Sequence, residues 1–211
     1  MMIISDIHTH NNHLSHRAVV SLSPTQFADN TTQPCSIGIH PWESNRVTQD
    51  ELLLLQKLST HPLVVAIGEC GIDRLKGADI EQQTTLFEQH IILSEKIKKP
   101  LIIHAVKSTD IILSLHRKYN PTQTWIIHGY RGNATTAQQY IKRGIELSYG
   151  EKFNPEAVAV TPKDMLWIES DESSVDINDI YNRVAQAANI EPEELKKLIE
   201  LRAKKIFLGC E

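Results

Sequence analysis

Histidine and carboxylate side chains recur along this chain at one kind of place, the downstream end of a short apolar run. His8 and His10 close the first run, His40 the third, Glu69 the fourth, His104 the fifth, His128 the sixth, and Glu169 with Asp171 the eighth. Imidazoles with a few carboxylates suit a divalent ion that keeps a position open for water. The three cysteines (Cys35, Cys70, Cys210) are too scattered for a closed thiolate site. Taken alone, His8-x-His10 leaves two readings open. Residues i and i+2 of a strand project to the same side, as ligands of one ion or as an ordinary polar edge. Recurrence at the later strand ends favours ligands. A set of this size exceeds what one catalytic ion takes, which points to two ions sharing a carboxylate.

The elements that must position these residues are legible as an alternation of short β-branched runs and longer amphipathic stretches. Strands are predicted over residues 2–8, 18–23, 35–40, 63–69, 101–105, 124–129, 145–150 and 165–170. Helix ends are marked between several of them. Thr48 with Glu51 forms a capping box, and a helical apolar pattern runs from Ile80 to Lys98. Asn154-Pro155 opens another helix. The tail from Pro192 to Leu208 starts acidic and ends basic, in agreement with the helix dipole.

Eight strands alternating with helices predict a (β/α)8 TIM barrel, whose strand ends of one sense meet on one face. The chain is short for that fold, and the shortage is local: the 24 residues between His10 and Cys35 hold one strand and no convincing helix. The expectation is a distorted barrel with the first one or two helices reduced to loops.

Bulk composition narrows the function classes. A chain of 211 residues with 41% hydrophobic content is expected to form one domain, 1–211. A net charge of −4 excludes the broad cationic field of a non-specific duplex binder, while a small site for one or two phosphates is compatible. The odd, dispersed cysteines read as reduced thiols, and the N-terminus has no secretory pattern, so a cytoplasmic location is expected. The longest apolar runs fall short of a membrane span, and no obligate protein partner is evident.

The strings "DIHTH", "GIHPWE", "GECGID", "PLIIHA", "IIHGYRGN" and "LWIESD" resemble the successive motifs of the TatD family of metal-dependent deoxyribonucleases, in the same order from Asp6 to Asp171. The resemblance implies a distorted (β/α)8 fold and hydrolysis of DNA phosphodiester bonds with two divalent ions, Mg, Mn or Zn. It implies that His8, His10, Glu69 and Asp171 hold one ion, and that Glu69, His104 and His128 hold the other, with Glu69 as the bridge. Asp171 matches the residue that orients or deprotonates the attacking water, so Asp171 and Glu69 are the implied catalytic pair. His40 matches a substrate-side histidine rather than a primary ligand. Glu43 and Asp73 match positions that orient ligands. The chain departs from the family pattern at Asn11-Asn12, at Val106, and at "ESSVD" after Asp171. None of these is a proposed ligand; they alter the cleft walls.

Lys107, Arg131 and Lys152 follow ligand-bearing strand ends and would offset charge on DNA or another phosphate-containing substrate. Other residues have blander readings. His13 and His16 read as solvated; His61, His90 and His116 as surface or packing residues; Cys70 as a filler of the barrel wall. Trp42, Tyr130 and Phe153 either stack on bases or cover the barrel mouth. Two rival functions stay open: a hydrolase of a lactone, amide or small phosphoester, and a non-catalytic metal or nucleic-acid-binding module.

Overall fold

The structure, a computed structural model, describes residues 3–11 and 17–209. Its strands are β1 (Asp6–Thr9), β2 (Ala18–Leu22), β3 (Cys35–Ile37), β4 (Val64–Asp73), β5 (Leu101–Val106), β6 (Trp125–Ile127), β7 (Glu146–Tyr149) and β8 (Leu166–Ile168). All eight belong to one sheet in chain order, with β1–β2, β3–β4, β4–β5, β6–β7 and β7–β8 parallel. The end of β8 returns to β1 through a parallel bridge between Thr9 and Asp171. There the Asp171 N–H donates to the His8 carbonyl at 2.9 Å and the His10 N–H to the Asp171 carbonyl at 3.1 Å. Sequential parallel order with last strand joined to first is the topology of a (β/α)8 barrel.

Helices follow the later strands: α1 (Gln49–Leu58), α2 (Ile80–Ile97), α3 (Thr109–Tyr119), α4 (Ala134–Ile141), α5 (Pro155–Val160), α6 (Ile177–Ala188) and α7 (Pro192–Leu208). Their ends obey local chemistry. The Thr48 and Asp79 side chains accept from the N–H groups of Glu51 and Gln82, and Asn154 caps α5 ahead of Pro155. Gly209 closes α7 in the left-handed conformation. Between β2 and β3 the described residues contain no helix, as the length shortage required. The early histidines His13 and His16, and Cys210, lie outside the described residues.

The chain divides into two compact units, a split one of residues 1–20 with 126–211 and a continuous one of residues 21–125. In the split unit, Ile7, Val19, Leu147, Tyr149, Trp167 and Ile168 are buried, as are Ile180, Val184, Leu195 and Ile199 of α6 and α7. In the continuous unit every residue of β4 is buried, with Phe87 and Ile91 of α2 also fully enclosed. Burial of such aliphatic and aromatic side chains stabilises each unit by about 1.5–3 kcal/mol per residue. It also fixes which strand positions are left to face away from the core.

Candidate active site

In the continuous unit the site is built on the ends of β3, β4 and β5. Strand β4 runs past Glu69 to Asp73, longer than the predicted strand, and its two glycines explain how. A Cβ at Gly68 would stand 2.3 Å from the Ile102 carbonyl oxygen, and one at Gly71 2.1 Å from that of His104. Both glycines have positive φ, so only glycine lets β4 lie this close to β5. That approach sets the Glu69 carboxylate against His104, with Oε1 2.8 Å from Nδ1. His40 completes the group, its Nε2 2.9 Å from the same oxygen and 3.3 Å from His104 Nδ1.

Behind this group stands Asp73. Its Oδ2 lies 3.2 Å from His104 Nε2 and accepts from the Trp42 indole N–H at 2.6 Å, while its Oδ1 accepts from the Leu75 N–H. Burial pushes the Asp73 carboxyl up, but the bonds from Trp42, Leu75 and His104 outweigh it and hold the group below its usual range. Gln83, buried on α2, accepts from the Asp73 N–H and donates to the carbonyls of Asp73, Lys76 and Ala78. The whole turn after β4 is thereby fixed. Lys107, one residue past β5, is exposed, and its carbonyl accepts from Arg74.

The split unit gathers a second set at the ends of β1, β6 and β8. His8 is fully buried and its ring packs 4.3 Å from that of His128 and 5.0 Å from that of His10. The Asp171 Oδ1 lies 3.9 Å from His8 Nε2 and 3.7 Å from His10 Nε2. Ligand atoms of His8, His128 and Asp171 all fall within 4.8 Å of one another, a spacing one ion can span. Glu169, also fully buried, accepts from the Gly129 N–H at 2.6 Å through Oε1, which lies 3.4 Å from His128 Nδ1. Its Oε2 makes no geometric hydrogen bond among the described residues. Burial pushes this carboxyl up, yet the hydrogen bond and charge of His128, with His8 and Ser148, bring it below the usual value. Asp6 holds the two strands together. Its carboxylate accepts from the Ser170 N–H and hydroxyl at 3.1 and 2.6 Å and from the His8 N–H at 3.3 Å. Burial raises the Asp6 pKa to about 7 against those bonds.

A cavity of about 290 Å³ opens beside Asp171. Arg131 and Lys152 both line it, and Arg131 Nη2 reaches to 3.9 Å from Asp171 Oδ2. Two of the three predicted rim cations therefore share one polar cavity.

The remaining candidates fall as follows. Glu43 pairs with Arg46 on the surface rather than orienting a ligand. Tyr130 is buried and donates to the Asn133 carbonyl, so it is a covering residue rather than a stacking platform. His90, expected as surface or packing, is fully buried with both ring nitrogens engaged. Sequence reasoning counted Glu169 among the strand-end acids without a role of its own, gave Trp42 only base stacking or cover of the barrel mouth, and passed over Gln83. The parity of Glu169 with Asp171 was the available signal for the first; no local pattern marks the other two.

Both ligand groups fit a divalent cation by their chemistry. In the continuous unit the ligand atoms of His40, Glu69 and His104 lie within 4.8 Å of one another, a nitrogen-and-carboxylate set of the kind that holds a divalent cation.

Comparison with known proteins agrees. Residues 25–208 match the family model described as TatD related DNase, and the chain belongs to that family. It is similar to the uncharacterized metal-dependent hydrolase YabD of Bacillus subtilis, 28% identical over 82% of this chain and 76% of that protein. It is also similar to the 3'-5' ssDNA/RNA exonuclease TatD of Erwinia billingiae, 24% identical over 81% of this chain and 76% of that one. Among solved structures, the Escherichia coli TatD homolog YjjV superposes with a TM-score of 0.80 over 98% of both chains, at 18% identity, which shows the shared fold. The chain is thus a metal-dependent hydrolase acting on ester bonds. No helix among the described residues is long and apolar enough to cross a membrane.

Proposed function

We propose that the protein hydrolyses phosphodiester bonds of DNA, with divalent ions held by His8, His10, His104, His128, Glu69 and Asp171. The observation that carries this reading is the cavity beside Asp171, where Arg131 and Lys152 line the wall together with the acids Glu151, Glu169, Asp171 and Glu172 at the edge of a ligand cluster, a mixed lining that takes divalent cations along with phosphate oxygens. Divalent ions bound to these groups supply charge for the oxygens of an in-line displacement and an acidified water. Asp171, half-exposed among His8, His10 and Arg131, takes or orients the proton of the attacking water. Arg131 and Lys152 bind the phosphate oxygens, guanidinium in two-point fashion, and place the reacting bond beside Asp171. Glu69 would hold an ion with His104 in the continuous unit, where its Oε1 stands 2.8 Å from Nδ1. His40, with its ring at Glu69 rather than among the cavity residues, acts on the substrate side of that carboxylate.

The exonuclease name of the Erwinia relative supports a single-stranded substrate. The test is a substrate panel of single-stranded DNA, duplex DNA, RNA, a small phosphodiester, a lactone and an amide, each with Mg²⁺, Mn²⁺ or Zn²⁺. Metal-dependent cleavage of single-stranded DNA is expected. Turnover of the lactone or amide without phosphodiester cleavage under any ion would overturn it.

A further inference from the structure

Three groups in the continuous unit, His40, His104 and Asp73, receive their roles from one residue. The backbone N–H of Trp42 donates to His40 Nδ1 at 3.1 Å, closing a 3-10 turn (Pro41–Glu43) for which His40 is the cap. A backbone amide can only donate, so His40 Nδ1 is an acceptor and a neutral His40 carries its hydrogen on Nε2. That nitrogen points at Glu69 Oε1 from 2.9 Å, the geometry of a donor to an anionic oxygen. The Trp42 side chain acts on the other histidine. Its indole N–H and His104 Nε2 converge on the same oxygen of Asp73, at 2.6 and 3.2 Å. Because His40 Nε2–H also faces His104 Nδ1 at 3.3 Å, where two hydrogens would oppose each other, Nδ1 of His104 is the acceptor and its hydrogen sits on Nε2, toward Asp73. The indole is 42% exposed, unusual for so large an apolar group, and is pinned where it stands by Asp73 on its edge and by Lys76, whose Nζ lies 3.8 Å from the ring centroid.

We infer that Trp42 is a positioning residue that sorts two adjacent imidazoles into different tasks. His104 is the metal ligand, through Nδ1. His40, although its ring nitrogen sits among the ligand atoms, is a fixed Nε2–H donor that does not coordinate. It serves Glu69, and an anionic substrate oxygen when one is bound there. The inference rests on the proposed metal-dependent reading and deepens it.

Two measurements on the full-length protein test it. Long-range ¹H–¹⁵N correlation spectra of the histidine rings, recorded metal-free and with Zn²⁺, report which nitrogen carries hydrogen. Both His40 and His104 should show Nε2–H, and only His104 should show a coordination shift on Nδ1. Titration with Zn²⁺ and with Mn²⁺ should then give His40→Gln an affinity within roughly twofold of the parent, and His104→Gln a loss of that ion. Trp42→Phe keeps the ring against Lys76 and removes only the N–H; it should weaken the same ion by roughly three- to tenfold with an unchanged melting temperature. A hydrogen on His40 Nδ1, a coordination shift on His40, or unaltered affinity in Trp42→Phe would each overturn the assignment. A parent protein that binds neither ion would instead overturn the metal-dependent reading, while the metal-free spectra would still decide the two hydrogen positions.

Discussion

The two units solve the same chemical problem in opposite ways. In the continuous unit a carboxylate stands behind the Nε2 of His104 and leaves Nδ1 to the site; in the split unit a carboxylate stands behind the Nδ1 of His128 and leaves Nε2. The first group is tied together by contacts of 2.8–3.3 Å among its own polar atoms, with Asp73 at the edge of an exposed indole. In the second, the acid–imidazole spacings are 3.4–3.9 Å, and the rings of His8 and His128 pack on each other beside a fully buried Glu169. The first set is held by hydrogen bonds among its own polar atoms, the second by burial together with the bonds that Gly129 and Ser170 make behind it. Loss of one bond therefore loosens the first set, while the second depends on its core.

The largest effect should come from Asp171→Asn, which tests whether the split unit carries the reacting water. Its kcat on single-stranded DNA is expected to fall roughly 10²–10⁴-fold, the usual range for a lost acid–base group, with melting unchanged. Cleavage at the parent rate would break the assignment. Next in size, the two backing carboxylates can be removed one at a time. Asp73→Asn and Glu169→Gln should each weaken the ion of their own unit roughly 10–100-fold, read by metal stoichiometry and calorimetry. If both variants lost the same ion, the division of ligands between units would be wrong.

A smaller effect separates the units by pH. Burial pushes the His90 pKa down to about 4, so the ring is neutral in the folded continuous unit. An unfolded histidine titrates near 6.5, and the unfolded chain therefore takes up the proton first as pH falls. The contribution of His90 is complete above about pH 6.5 and is lost as pH drops from there toward 4, by an amount on the order of a few kcal/mol. Urea midpoints at about pH 7.5 and about pH 4.5 should diverge more for the parent than for His90→Gln, with hydrogen exchange accelerating first in α2. The smallest change is expected at the cavity. Arg131→Ala should raise KM for DNA by roughly three- to tenfold, steepest at low salt, with kcat little altered.

Much of this was legible from residue types. The eight strands follow the predicted runs, α7 spans the predicted tail, and Thr48 and Asn154 cap the helices they were expected to cap. Those features depend on neighbours a few residues apart, where propensity and periodicity act. What stayed hidden depends on register between distant segments. The Trp42 indole meets Asp73 across 31 residues, and His90 reaches Ile39 across 51. Neither pairing leaves a trace in local composition. Glu169 was visible as a strand-end acid, but its service to His128 needs the exact stagger of β6 and β8. The extension of β4 to Asp73 was missed because glycines ordinarily end strands, whereas Gly68 and Gly71 keep this one pressed to its neighbour.

The Asp6 clasp also orders events in time. Ser170 lies 164 residues from the carboxylate that holds it, so β1 and its histidines cannot settle until nearly the whole chain has left the ribosome. The continuous unit has no such debt: its histidines and acids are all in hand once Trp125 emerges. During each round of synthesis, one half of the ligand set has all its parts while the other still waits for its distant partner.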